Sequence, residues 1–149
     1  MNTSKTIHSF LAEPALAIVG VSRTGRGFGN TAWRALKAKG YRVYPIHPSA
    51  SQLDGTTCYA RFAELPERVG GVVIVVPPAS AIDVIDEAAA AGIKRVWLQQ
   101  GAESPEALRA CAERGMDAVS GECILMFAQP TGIHRAHQLV RRVFGTLPA

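Results

Sequence analysis

Ala15-Leu16-Ala17-Ile18-Val19-Gly20-Val21-Ser22-Arg23-Thr24-Gly25-Arg26-Gly27-Phe28-Gly29-Asn30 is the stretch that decides the fold. An apolar run of strand length breaks into a glycine-rich loop, and a helical pattern begins near Thr31. In α/β proteins this succession builds a phosphate site. Backbone N–H groups and the helix N-terminus point at an anion, and glycine lets the chain approach it closely. Ser22, Arg23 and Arg26 add a hydroxyl and two positive charges. The loop predicts a phosphate-bearing ligand. A ligand-free glycine-rich turn is the alternative, and it requires neither the serine nor the arginines.

Outward from this loop, three joints carry the same punctuation: Lys39-Gly40-Tyr41, Ala91-Gly92-Ile93 and Arg114-Gly115-Met116. In each, a glycine can take the left-handed position that ends a helix, and a strand-like run follows. Helix starts are also marked. Ser80-Ala81-Ile82-Asp83 reads as a capping box with Asp83 in place of the usual Glu, and Ser104-Pro105-Glu106 sets a cap before a first-turn proline. Strands are expected near 15–20, 42–46, 72–76, 94–98 and 117–120, and helices near 31–39, 81–91, 105–114 and 133–144. Residues 51–70 read as irregular, with a short strand at Thr57–Tyr59 and a helical turn near Phe62–Leu65. Val72-Val73-Ile74-Val75-Val76 is apolar throughout, as a parallel strand covered on both faces must be. Strand–helix alternation at this spacing predicts an α/β, doubly wound, mainly parallel sheet of about five to six strands.

The chain has 149 residues, enough for one domain (1–149) with a sizeable core. A formal charge of +4 favours anionic ligands without calling for nucleic acid. No apolar run approaches the ~20 residues of a membrane span. The first residues, Met1–Ile7, lack the apolar core of a signal peptide, so a cytoplasmic location without membrane attachment is expected. Cys58, Cys111 and Cys123 are odd in number and widely spaced, which indicates neither a disulfide framework nor a zinc site. His8, His134 and His137 show no metal-ligand spacing. Trp33 and Trp97 lie inside predicted elements and read as packing residues.

Two standard phosphate motifs almost fit. Gly20–Gly25 has the frame of a Walker A loop, but Arg26 stands where that motif needs Lys and Gly27 where it needs Ser or Thr. Gly27–Ala32 matches a dinucleotide fingerprint but starts too far beyond the strand. The second strand ends Tyr44-Pro45-Ile46-His47-Pro48, without the carboxylate that holds the ribose of NAD.

Five motifs in order resemble the small stand-alone coenzyme A-binding proteins, whose Rossmann-like domain is similar to that of the succinyl-CoA synthetase α subunit. Ala17–Ser22 looks like the opening "VVGAS" of that family. Gly40–Pro48 looks like "GYxVYPVNP", with His47 for the usual Asn. Val76-Pro77-Pro78 resembles the proline pair after the third strand, and Val96–Gly101 resembles "VWLQxG". Glu122–Met126 resembles "DRCxxxE", with Glu122 for the usual Arg and Phe127 where the later acid falls. The similarity covers roughly residues 10–128.

The resemblance implies coenzyme A as cofactor, in a small-molecule site along one sheet edge. The pyrophosphate would rest on Gly20, Val21 and Ser22, helped by Arg23 and Arg26, with Asn30 offering a side-chain hydrogen bond. The adenine end would lie against Pro45, His47, Pro48, Val76, Pro77 and Pro78, and the pantetheine arm would pass Gln99, Gln100 and Gly101 toward Cys123. His47 reads equally as a turn residue, and Cys123 as a packing residue. Cys111, on a helical face with Ala107 and Leu108, reads as core.

The 133–144 helix carries Ile133, Ala136, Val140, Val143 and Phe144 on one face and three arginines on the other. It is a candidate surface for a second copy or an acidic protein partner, or simply a solvated face. Three functions remain open: a coenzyme A or acyl-CoA binder without catalysis, an NAD(P)-binding oxidoreductase or acyl-CoA ligase subunit, and a nucleotide-sensing regulatory module. The first is favoured because the chain has no paired carboxylates, Ser–His–Asp pattern or metal cluster.

Overall fold

A computed structural model describes residues 3–128. The elements in chain order are α1 (Ser4–Leu11), β1 (Ala15–Val19), α2 (Phe28–Ala38), β2 (Arg42–Ile46), β3 (Gln52–Leu53) and β4 (Thr56–Thr57). A 3₁₀ turn (Phe62–Glu64) precedes β5 (Gly71–Ile74), α3 (Pro78–Ala90), β6 (Arg95–Leu98), α4 (Pro105–Glu113), β7 (Asp117–Ser120) and a last 3₁₀ turn (Ile124–Met126). The helix expected over 133–144 lies outside the described residues.

The main sheet has five strands, ordered β2-β1-β5-β6-β7, and every pair is parallel. The fold is α/β and Rossmann-like, with β1 and β5 adjacent at the centre. The chain leaves β1 toward β2 and later returns to β5, so the winding direction reverses between these two strands. That is the topological switch point at which open α/β sheets bind ligands.

Side-chain alternation builds a core on each face of the sheet. Leu16, Ile18, Val73, Trp97 and Val119 face one side, joined by Ile7 and Phe10 of α1 and Trp33 and Leu36 of α2. Ala17, Val72, Ile74, Val96 and Leu98 face the other, joined by Ile85 and Ala88 of α3 and Ala107 and Cys111 of α4. Both tryptophans are packing residues. The Trp33 indole N–H donates to the Val43 carbonyl at 3.0 Å, and that of Trp97 to the Glu122 carbonyl at 3.0 Å.

The three glycine joints end their helices as expected. Gly40, Gly92 and Gly115 have φ of 96°, 83° and 66°. The N–H after each reaches back to a helix carbonyl: Tyr41 to Leu36 at 3.2 Å, Ile93 to Ala88 at 3.0 Å and Met116 to Cys111 at 2.9 Å. Ser104 caps α4 by accepting from the Ala107 N–H at 3.0 Å.

Four sequence expectations need correction. Helix α3 starts at Pro78, so Ser80 lies inside the helix and caps nothing; the fixed φ of a proline at the first helical position starts the helix instead. Helix α2 starts at Phe28 rather than Thr31. The strand expected at Thr57–Tyr59 is split: Tyr59 makes an isolated parallel bridge to Ile46, and Thr57 ends a hairpin, Gln52–Leu53 against Thr56–Thr57, closed by Asp54-Gly55 at φ of 50° and 74°. Such a turn needs two residues of positive φ, and Asp-Gly supplies them. Helix α1 was not anticipated; Thr3 caps it, its hydroxyl accepting from Thr6 N–H at 3.0 Å. Phe10 of α1 packs edge-on against Trp97, ring centroids 5.4 Å apart. Among the described residues no helix is long and apolar enough to cross a membrane.

Candidate functional site

The loop after β1 is built by close packing. Gly20 has φ of 114°, and a Cβ there would lie 2.1 Å from the Val75 carbonyl oxygen. A Cβ on Gly29 would lie 2.2 Å from the carbonyl oxygen of Gly20. These two glycines let β1, the end of β5 and the start of α2 converge. They give the close strand–helix packing that a dinucleotide fingerprint also gives, at a different spacing.

Asn30 holds the loop from beneath. It is fully buried; its Oδ1 accepts from the Ser22 N–H at 2.7 Å and its Nδ2 donates to the Ser22 carbonyl at 2.9 Å. Asn30 thus ties the loop to α2 through both polar atoms of its side chain. Above it, the Ser22 and Thr24 hydroxyls lie 2.8 Å apart and the Gly25 N–H donates to the Ser22 carbonyl at 3.1 Å, closing a tight turn.

Helix α2 opens at Gly27 with no side-chain cap and no acidic residue in its first turn. Its first intrahelical bond runs from the Thr31 N–H to the Gly27 carbonyl at 3.2 Å, so the N–H groups of Phe28, Gly29 and Asn30 have no intrahelical acceptor. Such a terminus, with the positive end of the helix dipole, favours an anion. Arg23 and Arg26 are exposed beside it, and among the described residues neither side chain has an ion pair.

Sequence reasoning missed Arg34. It donates from Nη1 to the Gly25 carbonyl at 3.0 Å and grips the Asp54 carboxylate with Nε and Nη2 at 2.6 and 3.1 Å. Its position six residues into α2 gave no signal, because the hairpin it touches was not anticipated.

The other predicted residues follow the C-terminal ends of the remaining strands. Pro45 is buried near the end of edge strand β2; Pro48 is exposed just beyond it. His47 folds back on its own turn, its Nδ1 accepting from the Ser49 and Ala50 N–H groups at 3.1 and 3.0 Å. In this arrangement the neutral ring carries its proton on Nε2. Val76 is half-buried and Pro77 exposed before α3. Gln99 is buried, and its Oε1 accepts from the Ile124 N–H at 3.1 Å. Gln100 is exposed and reaches the Gly121 carbonyl at 3.3 Å, tying the β6 and β7 loops together. Gly101 takes φ of 97°.

Cys123 is half-buried after β7, packed at the edge of the core. Cys58 and Cys111 are buried, and burial pushes both thiols up, Cys111 to about 11. The recess between Phe62, Leu65, Arg68 and Ile93 lies toward the opposite strand ends and contains none of the motif residues.

The family model described as "CoA binding domain" matches residues 15–129. The chain belongs to the CoA-binding domain family. That match runs from the first residue of β1 past the last 3₁₀ turn, so it takes in every loop of the site. This CoA-binding domain is 34% identical over 83 residues to acetate–CoA ligase [ADP-forming] II of Archaeoglobus fulgidus, covering 54% of the chain and 12% of the ligase. It thus spans about an eighth of that relative's length. Among solved structures, a conserved hypothetical protein from Pyrococcus furiosus is 38% identical, with a TM-score of 0.70 over 74% of this chain and 96% of that one. A dinucleotide-forming acetyl-coenzyme A synthetase from Ca. Korarchaeum cryptofilum is 30% identical, with a TM-score of 0.62 over 71% of this chain and 25% of that one.

Proposed function

We propose that this CoA-binding domain takes coenzyme A or an acyl-CoA on the loop Gly20–Asn30 and catalyses no reaction by itself. The observation that carries the reading is the uncapped start of α2, at the switch point, with Arg23 and Arg26 exposed beside it. The pyrophosphate would take its N–H donors from that helix start and its countercharge from the two arginines. Pro48, just beyond β2, and Pro77 and Pro78, at the start of α3, would offer rigid rings to the adenine end, with Pro45 buried in β2. The arm would run along Gln100 and Gly101 toward Cys123. His47, just after β2, would offer the ligand its Nε2–H, since its own turn occupies Nδ1.

Calorimetric titration with coenzyme A, NAD and ATP tests the reading. Coenzyme A is expected to bind and NAD to bind far more weakly, because no carboxylate follows β2 directly to hold the adenosine ribose of NAD. Tighter binding of NAD overturns it. Incubating the chain with acetate, ATP and coenzyme A is expected to yield no acetyl-CoA. Formation of acetyl-CoA would favour a second reading, suggested by the ADP-forming ligase relatives, in which the chain carries part of a ligase's chemistry.

A further inference from the structure

We propose that Arg34 is the positioning residue of the phosphate loop and that, through Asp54, it couples the shape of that loop to the β3–β4 hairpin. This rests on the reading of residues 20–30 as a coenzyme A site.

The guanidinium works in two directions at once. Nη1 holds the Gly25 carbonyl at 3.0 Å, while Nε and Nη2 form a two-pronged grip on Asp54 at 2.6 and 3.1 Å. Only a planar fork of fixed donors can do both; an ammonium cannot. Gly25 is the last residue of the turn that starts at Ser22, and it stands at φ of 78°. Its carbonyl and the Arg26 N–H belong to one trans peptide and point in opposite directions. Fixing the carbonyl therefore fixes the plane from which Arg26 and Gly27 depart, immediately before the helix start that would face the anion. A carbonyl oxygen held by a cation also cannot turn into that site, where its negative end would repel phosphate.

Asp54 supplies the other half of the device. It takes up the charge of Arg34, so the guanidinium acts on the loop and not on the ligand. It sits in the hairpin turn at φ of 50°, and a second strut, Lys37 Nζ to Thr56 Oγ1 at 3.0 Å, fixes the same hairpin to α2. The hairpin itself contributes no predicted ligand contact; its position bears on the loop through Arg34.

Three variants test this: Arg34→Ala, Arg34→Lys and the exchange Arg34→Asp with Asp54→Arg. Coenzyme A affinity is measured at two salt concentrations, together with thermal stability and amide hydrogen exchange of the ligand-free protein. Arg34→Ala is expected to weaken coenzyme A roughly tenfold, the loss of one charge-assisted hydrogen bond. Its salt dependence should match that of the unaltered protein, and exchange at Gly25, Arg26 and Gly27 should quicken while α3 and α4 stay unchanged. Arg34→Lys should not restore affinity. The exchange should restore the melting temperature, because the ion pair between α2 and the hairpin is remade, but not the affinity, because no donor reaches Gly25.

Three results would overturn the proposal. A shallower salt dependence in Arg34→Ala would make Arg34 a direct phosphate contact. Full affinity in the exchanged pair would reduce the device to a hairpin clamp. Full affinity in Arg34→Lys would mean that charge alone suffices. If the unaltered protein does not bind coenzyme A, the ligand reading fails, and the exchange rates at Gly25–Gly27 still decide whether Arg34 sets the loop.

Discussion

The Gly20 carbonyl oxygen occupies the space that a side chain on Gly29 would need, 2.2 Å from an ideal Cβ. The atoms in conflict are backbone, so neither can swing aside. The contact brings the start of α2 against the end of β1 and thereby sets where the helix terminus points. Gly29→Ala is expected to cost about 2 kcal/mol or more, the range for overpacking a backbone-lined site. Urea denaturation reads the loss, and a change smaller than about 0.5 kcal/mol would show that the two segments can part freely.

Asn30 spends its side-chain carbonyl and amide on one residue, Ser22. Replacing it by Ala leaves the half-buried Ser22 N–H without its acceptor and takes one of two donors from the Ser22 carbonyl, which keeps the Gly25 N–H. The expected destabilisation is about 1–3 kcal/mol. Coenzyme A affinity should fall with it, because the turn above loses its support. Denaturation and calorimetry on the same variant separate the two effects.

Arg23 and Arg26 lie in an exposed loop with no ion pair among the described residues. Replacing both by Ala should leave the melting temperature nearly unchanged while weakening coenzyme A and flattening its salt dependence. Well-formed charge-assisted contacts to phosphate are worth roughly 1.5–3 kcal/mol each. Unchanged affinity at low salt would remove these side chains from the site.

The acid limb of stability should depend on Glu67. Arg42 binds its carboxylate with both Nε and Nη2, at 2.8 and 2.9 Å, and the Tyr44 hydroxyl donates to it as well. These hydrogen bonds hold the carboxyl at about 2, below its ordinary 4.5. A carboxyl depressed in the folded state adds stability that is fully present above about 4.5 and is lost as pH falls toward 2. Glu67→Gln is expected to flatten the melting temperature between those pH values and to change it little with pH above 6. An unaltered acid limb in the variant would assign it to other carboxylates.

Thiol reactivity should rank by burial. Cys111 is shut inside the core with its thiol pushed up to about 11, and Cys58 is buried and pushed up as well. Cys123 is half-buried at the edge where the pantetheine arm would end. Incubation with the disulfide of coenzyme A is expected to modify Cys123 first, because exchange needs access. Peptide mapping decides; modification of Cys58 alone, or of no cysteine, would leave Cys123 a packing residue without touching the phosphate-loop reading.

Much of the molecule was legible in the chain itself. The alternation of apolar runs with glycine-stopped helices was enough for a parallel α/β sheet, because left-handed helix ends at Gly40, Gly92 and Gly115 are local chemistry. The Gly-rich loop was legible for the same reason, and Asp54-Gly55 was a readable hairpin signal that went unused. Other features had no local signature. That Gly29 must lack a side chain depends on a carbonyl nine residues away. That Asn30 turns inward, and that His47 closes its own turn, depend on which donors folding brings within reach. Arg34 reads in sequence as an ordinary helix-surface arginine, and only the tertiary structure sets it between Gly25 and Asp54. Periodicity and turn chemistry act over a few residues and fix elements; the partners of a polar side chain are chosen by packing between distant segments, and only the folded chain decides them.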